Sequence, residues 1–307
     1  MGRSRKAQRS SQVELRPPTA IRALQLLGMA SIGGALALAL LLLTHRVWTH
    51  AGETLEAPVS VEIVWPLTPD STPDQPKTWL SAYFRDRLLA TAHARAAESP
   101  DPVRGDAVAR VGRAMEASGW FDGAPRVVRR GDGTIVVSGS WRTPACVVRH
   151  NGRDHLVDWR SRPMPATYDA GASGLRIIHG ASSPPPRNAK GTLNYAEAWP
   201  GDDIRVGVET LRLLLAQPYA NQVAGVDVRD YFVTRRIDIV TDKGTRVVWG
   251  GPPGEFIPGE ASTKAKLDRL AYFASLAERG RRIDLGQQRL EIYNEDAVYA
   301  DLTAIRR

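Results

Sequence analysis

From Ala23 to Thr44 the chain reads ALQLLGMASIGGALALALLLLT, 22 residues without a charge. No other stretch limits the possible folds as much. At a rise of about 1.5 Å per residue a helix of this length spans about 33 Å, enough to cross the hydrocarbon core of a bilayer. Backbone groups find no water there, so helix is expected in spite of Gly28, Gly33 and Gly34. Apolar residues cover every face, unlike the single stripe of a helix packed on a core. The run exceeds the about 7–15 apolar residues of a cleaved leader, and Thr49-His50-Ala51 is a poor cleavage site. Arg3, Arg5, Lys6, Arg9, Arg16 and Arg22 precede it against Glu14 alone. The excess of positive charge on that side places the N-terminus in the cytoplasm and the bulk of the chain beyond the inner membrane. The expectation is a single-pass protein with a basic tail (1–22), a membrane helix (23–44) and a juxtamembrane linker (45–56).

The charge of the whole chain is +8, of which the first 22 residues supply +5. The remainder is close to neutral and does not carry the concentrated basic face of a nucleic-acid-binding domain. The single cysteine excludes an intramolecular disulfide.

Beyond the apolar run, residues 57–65 alternate as a strand, 78–97 read as an amphipathic helix, and a second helix opens near Asp101 and stops at Gly119. Two strands follow, 126–130 and 134–141, joined at Gly131-Asp132-Gly133. The order β-α-α-β-β suits a small sheet with both helices on one face. Residues 182–191 (SSPPPRNAKG) form a proline-rich linker. A second unit follows, with a helix from Asp202 whose Ile204, Val208, Leu211 and Leu215 form a stripe. Strands are expected at 223–229, 235–241 and 245–249, a helix at 262–280, and last strands at 282–285 and 288–293. The fold class is α+β, with the second sheet mainly antiparallel. The expected domains span 57–180 and 201–298, with a linker at 181–200 and a tail at 299–307.

The stretch SWRTPACVVRHNGRDHLVDW (140–159) holds Cys146, His150, His155 and Asp158, a possible nucleophile with base and carboxylate. Asn151-Gly152, however, is a strong hairpin signal. Pairing about that turn sets Cys146 opposite Val157, Val148 opposite His155 and Arg149 opposite Asp154. His155 is then only a diagonal neighbour of Cys146, about 7–8 Å away, and Asp158 faces the other side. Cys146 reads as a small buried hydrophobe. No phosphate loop, GxSxG, HExxH or CxxC motif is present, so neither catalysis nor a cofactor or metal site is expected.

The order and spacing of several stretches resemble the FtsQ/DivIB family of bacterial cell-division proteins. SGWFDGAPRVVRRGDGTIVVSGSWRTPACVV is similar to that family's run closing on R-x-P-x-A, with Arg142 and Pro144 in those places and Ala145 one position before the last. HLVDWRSRPMP, GLRIIHG, KLDRL and RRIDLGQQRLEIY resemble later family stretches. The chain departs from the pattern at Ser140 and at Gly286-Gln287. The resemblance implies a POTRA domain over 57–180, a β domain after it, and no enzymatic activity. It also implies a scaffold at the division septum that docks the coiled-coil proteins FtsB (DivIC) and FtsL. These lead indirectly to the septal peptidoglycan synthase; no nucleic acid or small-molecule substrate is implied.

A last strand with an open edge could take a partner strand by backbone hydrogen bonds. Arg289, Leu290, Glu291, Ile292 and Tyr293 are the candidate contact residues, Tyr293 as aromatic anchor. The alternative is that Leu290 and Ile292 belong to the core and Tyr293 covers them. Lys266 is expected as a solvated charge on its helix and Trp120 as a core plug. A membrane-anchored transport accessory or sensor with a POTRA-like domain is the competing functional class.

Overall fold

The computed structural model describes residues 41–46, 60–98 and 106–294. The chain divides into two compact units, Met1–Pro58 and Val59–Arg307. Of the first, only residues 41–46 are described, as a short exposed helix. The expected membrane-spanning helix at 23–44 is corrected here: among the described residues no helix is long and apolar enough to cross a membrane. Six helical residues rise about 9 Å, against a hydrocarbon core of about 30 Å. Residues 23–40 lie outside the described residues, as do the tails 1–22 and 299–307 and most of the linker 45–56. The single-pass, inner-membrane placement with exported domains rested on that helix, and it falls with it.

The second unit begins with β1 (Val61–Ile63), α1 (Ala82–Ala97), α2 (Asp106–Ala117), β2 (Arg126–Arg129) and β3 (Ile135–Ser138). These form a three-stranded sheet of order β1-β3-β2, with β1 parallel and β2 antiparallel to β3. Period-two alternation turns Val61, Ile63, Ile135 and Val137 to one face, where Leu88, Ala92, Val111 and Met115 of the two helices meet them. Gly119 ends α2 at φ +77°, a left-handed conformation that glycine adopts without a Cβ clash. Trp120 follows it into the core, 4.9 Å from the ring of Phe84.

Then come β4 (Pro144–His150), β5 (Arg153–Asp158), β6 (Pro163–Asp169), β7 (Ile177–His179), α3 (Asp202–Leu215), β8 (Val223–Asp227), α4 (Tyr231–Thr234), β9 (Ile237–Thr241), β10 (Arg246–Gly250), α5 (Thr263–Ser275) and β11 (Arg289–Glu291). All eight strands join one sheet of order β11-β10-β9-β8-β7-β4-β5-β6. The sheet is mixed: β10–β11, β7–β8 and β4–β7 pair in parallel, the other neighbours antiparallel. That corrects the mainly antiparallel expectation. The fold is α+β with mixed sheets.

The hairpin β4–β5 has the register read from Asn151-Gly152, with Cys146 opposite Val157 and Arg149 opposite Asp154. Both turn residues have positive φ, as a two-residue I′ turn demands. The sheets do not divide at residue 180, where the domain boundary was expected. Strands β4–β6 belong to the large sheet, and their alternate side chains serve two cores. Cys146, Val148 and Val157 face Ile204, Val208 and Leu211 of α3. Val147, Leu156, Met164 and Ala166 face the core of the small sheet. The proline-rich segment is packed rather than loose: Pro185 and Pro186 are buried, and the indole of Trp199 donates to the carbonyl of Ser183 at 2.9 Å.

Candidate functional site: an open sheet edge

Strand β11 ends the large sheet and pairs on one side only among the described residues, parallel to β10. The Gln288 carbonyl accepts from the Arg246 N–H at 3.2 Å, and the Ile292 N–H donates to the Val248 carbonyl at 3.1 Å. Successive residues of a strand turn their backbone groups to opposite edges. Residues 288, 290 and 292 therefore serve β10, and Arg289 and Glu291 turn N–H and C=O outward. The opening is short. At its far end the Tyr293 carbonyl accepts from the Ala261 N–H at 2.7 Å, and Glu260 bridges Asn294.

Side chains alternate across the sheet. Leu290 and Ile292 are buried in the core with Val247, Trp249 and Ile283. Arg289 and Glu291 are exposed on the opposite face, 3.5 Å apart. Tyr293 is half-buried beneath Arg236, whose guanidinium lies 5.1 Å from the ring centroid. The five candidate residues thus lie together in sequence and divide in space. Two are core and one is a covered ring. The two charged residues carry the open backbone.

Buried ionic clusters hold β11 at both ends. On the N-terminal side, Asp284 accepts from Arg282 Nε and Nη2 at 2.9 and 2.8 Å, from the Thr241 hydroxyl at 3.0 Å and from the Gly286 N–H at 3.0 Å. Burial alone would raise this carboxyl. Arg282 and the other donors outweigh it and hold the pKa at about 2. The chain turns here, with Leu285 at φ +54°, so the strand expected at 282–285 is absent.

On the C-terminal side, Glu260 accepts from Lys266 Nζ at 2.8 Å and from the Gly251 N–H at 3.0 Å. Lys266 is 4% exposed and lies 5.2 Å from the Trp249 ring centroid. The expectation of a solvated lysine is therefore corrected. Arg269 donates to the carbonyls of Ile292 and Asn294 at 2.7 and 2.6 Å. The helix expected at 262–280 and the K-L-x-x-L resemblance both pointed to this region, and Glu260 carried no signal in the sequence.

On the outer face Asp227, Asp238, Val248 and Glu291 stand opposite one another across four strands. Arg246 bonds Asp227 and lies 3.8 Å from Asp238. Burial pushes the Asp238 carboxyl up, against the pull of Arg246 and Arg289.

No protein-family model matches the chain, and no curated protein matches its sequence.

The cysteine stretch forms no comparable site. Cys146 is fully buried, and burial pushes its thiol pKa up, the opposite of an activated nucleophile. His155 lies 5.7 Å from the Trp199 ring centroid and 3.4 Å from the Thr167 hydroxyl, and burial lowers its pKa. Asp158 is engaged by Arg142, whose Nε donates to it at 2.9 Å. The remaining N–H groups of Arg142 reach the carbonyls of Gly119, Tyr195, Arg162 and Pro163 at 2.8–3.1 Å. This buried guanidinium uses all five donors and ties the small sheet to the large one. Its place in the R-x-P stretch was visible in the sequence; its role as a tie was not. Among the described residues no group of three or more His, Cys, Asp or Glu could hold a metal ion.

Proposed function

We propose that the chain is a non-enzymatic docking scaffold of the FtsQ/DivIB kind, serving bacterial cell division by adding a partner strand to β11. One observation carries the reading: Arg289 and Glu291 turn their backbone N–H and C=O to an edge that no other described strand occupies. An incoming strand would gain main-chain hydrogen bonds there, and the Arg289–Glu291 pair would select side chains of matching charge. Partners of the FtsB and FtsL type are the proposed occupants, on the strength of the sequence resemblance. The ionic clusters at Asp284 and Glu260–Lys266 support the reading, since they hold a three-residue strand that its own pairing would barely fix.

Glu291→Pro tests it. Proline removes an N–H that points away from β10, a position where edge strands tolerate it. The variant should keep the wild-type thermal midpoint within a few degrees and lose capture of a partner by photocrosslinking at residue 289 in dividing cells. Crosslinking that persists unchanged in a folded Glu291→Pro protein would rule out strand addition at this edge.

A further inference from the structure

Away from the sheet edge, α1 and α2 flank a cleft of about 650 Å³. Its α1 rim carries Arg87, Arg95 and Glu98, its α2 rim Arg110 and Arg113. Glu98 is shared by Arg95 at 2.7 Å and Arg110 at 4.0 Å. Arg87 and Arg113 form no ion pair among the described residues. Arg87 is instead steadied by Tyr83, donating to the phenol oxygen at 3.1 Å with its guanidinium 5.6 Å from the ring centroid. Four arginines against one carboxylate leave a cationic trough. Its floor is aromatic, with Phe84 and Trp120. The same two rings form the wall of a second cleft of about 420 Å³, lined largely by Trp79, Leu80, Leu156 and Leu175. The two clefts lie side by side, sharing Phe84 and Trp120 in their linings, the first cationic at its rims and the second largely apolar.

We infer that this surface binds an acidic, amphipathic peptide segment of a partner protein, with an apolar side chain in the slot beside Trp79 and carboxylates along the arginine rims. The spacing of charge selects a peptide. Arg87 and Arg95 are eight residues apart on α1, about 12 Å. A single phosphate or lipid headgroup cannot reach both, whereas successive carboxylates on a helix can. Guanidinium forks suit carboxylates, and the half-buried rings of Phe84 and Trp79 supply the apolar anchor that long-range charge alone lacks. The chain's own basic N-terminal segment has the wrong sign for this trough. The surface is separate from β11 and has no part in strand addition.

The test is fluorescence anisotropy of the full-length chain with a labelled synthetic helix-forming peptide of about 15 residues, whose about 22 Å more than covers the about 12 Å from Arg87 to Arg95. The peptide carries Glu at the polar positions and Leu at one apolar stripe. Binding should weaken with added salt, and by about tenfold or more in Arg113→Glu or Arg87→Glu. Both residues are exposed, so circular dichroism should show an unchanged fold. A peptide with Lys in place of Glu should not bind, and one with Ala in place of Leu should bind about tenfold more weakly. Equal binding of the Glu and Lys peptides, or indifference to both charge reversals, would overturn the proposal. So would Arg113-dependent binding to anionic phospholipid vesicles that the acidic peptide fails to displace. Stronger peptide binding after removal of residues 295–307, to a level at which the intact chain binds none, would also overturn it, by naming the chain's own C-terminal segment as the occupant.

Discussion

The large sheet has two edges, and they are treated oppositely. At β6 the chain places Pro163 and Pro165, which have no N–H to offer an incoming strand. Arg142 takes the carbonyls of Arg162 and Pro163, and Asp158 takes the N–H groups of Arg160 and Arg162. The Trp199 N–H then bonds the Ser161 carbonyl and lays the proline-rich segment against the same corner. At β11 there is no proline, and the outward backbone groups of Arg289 and Glu291 meet no other described strand. Among the described residues, solvated charges guard these two positions. A blunted edge is built to stay single. An edge guarded by charge excludes indiscriminate pairing and still admits a strand that answers the charge.

The comparison can be broken first at its closed side. Arg142→Ala removes the more deeply buried of the two guanidinium groups that hold Asp158, leaving Arg162 Nε at 2.9 Å, and takes a donor from each of four carbonyls. Removing one partner of a buried pair costs about 3–5 kcal/mol. Urea denaturation should show a loss of that size, the largest expected for any single change here. Lys266→Ala strikes the open side. It strands Glu260, which is less deeply buried than Asp158, so a smaller loss is expected, about 2–3 kcal/mol. Fraying should concentrate at β11, read by hydrogen exchange of Leu290 and Ile292.

Acid acts on the same side more gently. The folded pKa of Asp284 lies at about 2, below the about 3.9 of an unfolded aspartate. The stability it contributes is complete above about pH 4 and is lost as the pH falls through the folded value toward about 2. Asp284→Asn should flatten that part of the stability profile in denaturant titrations between about pH 5 and pH 2. The smallest effect is expected for Arg289→Ala. As an exposed residue it should change stability by less than about 0.5 kcal/mol and still weaken partner capture. Wild-type capture by this variant would show that the charge on the edge does not select.

The sequence was most informative where short-range chemistry decides the structure. Asn151-Gly152 gave the hairpin and its register because the I′ turn needs positive φ at both residues. The stripe of α3 was visible because helix periodicity persists over four turns. Strands β6 and β7 were not seen: one holds two prolines, and the other has three residues and exists because β4 and β8 arrive on either side of it from farther along the chain. Ile283-Asp284-Leu285 looked like a strand by alternation. The carboxylate of Asp284, collecting donors from Arg282, Thr241 and Gly286, turns the chain instead. Lys266 reads as solvent-facing by residue type, and only a loop carrying Glu260 back over Trp249 makes burial tolerable. In the candidate site, the pattern located β11. Which of its residues face outward follows from the parallel pairing with β10, which no local pattern encodes.

Strands β4–β6 present Cys146, Val148 and Val157 to one core and Val147, Leu156 and Met164 to the other. A wall plastered on both sides cannot be given to one room without stripping the other. Severing the polypeptide near residue 143 would leave either fragment with a bare greasy surface, so neither lobe is a transplantable module. Heat should dismantle both in a single cooperative step.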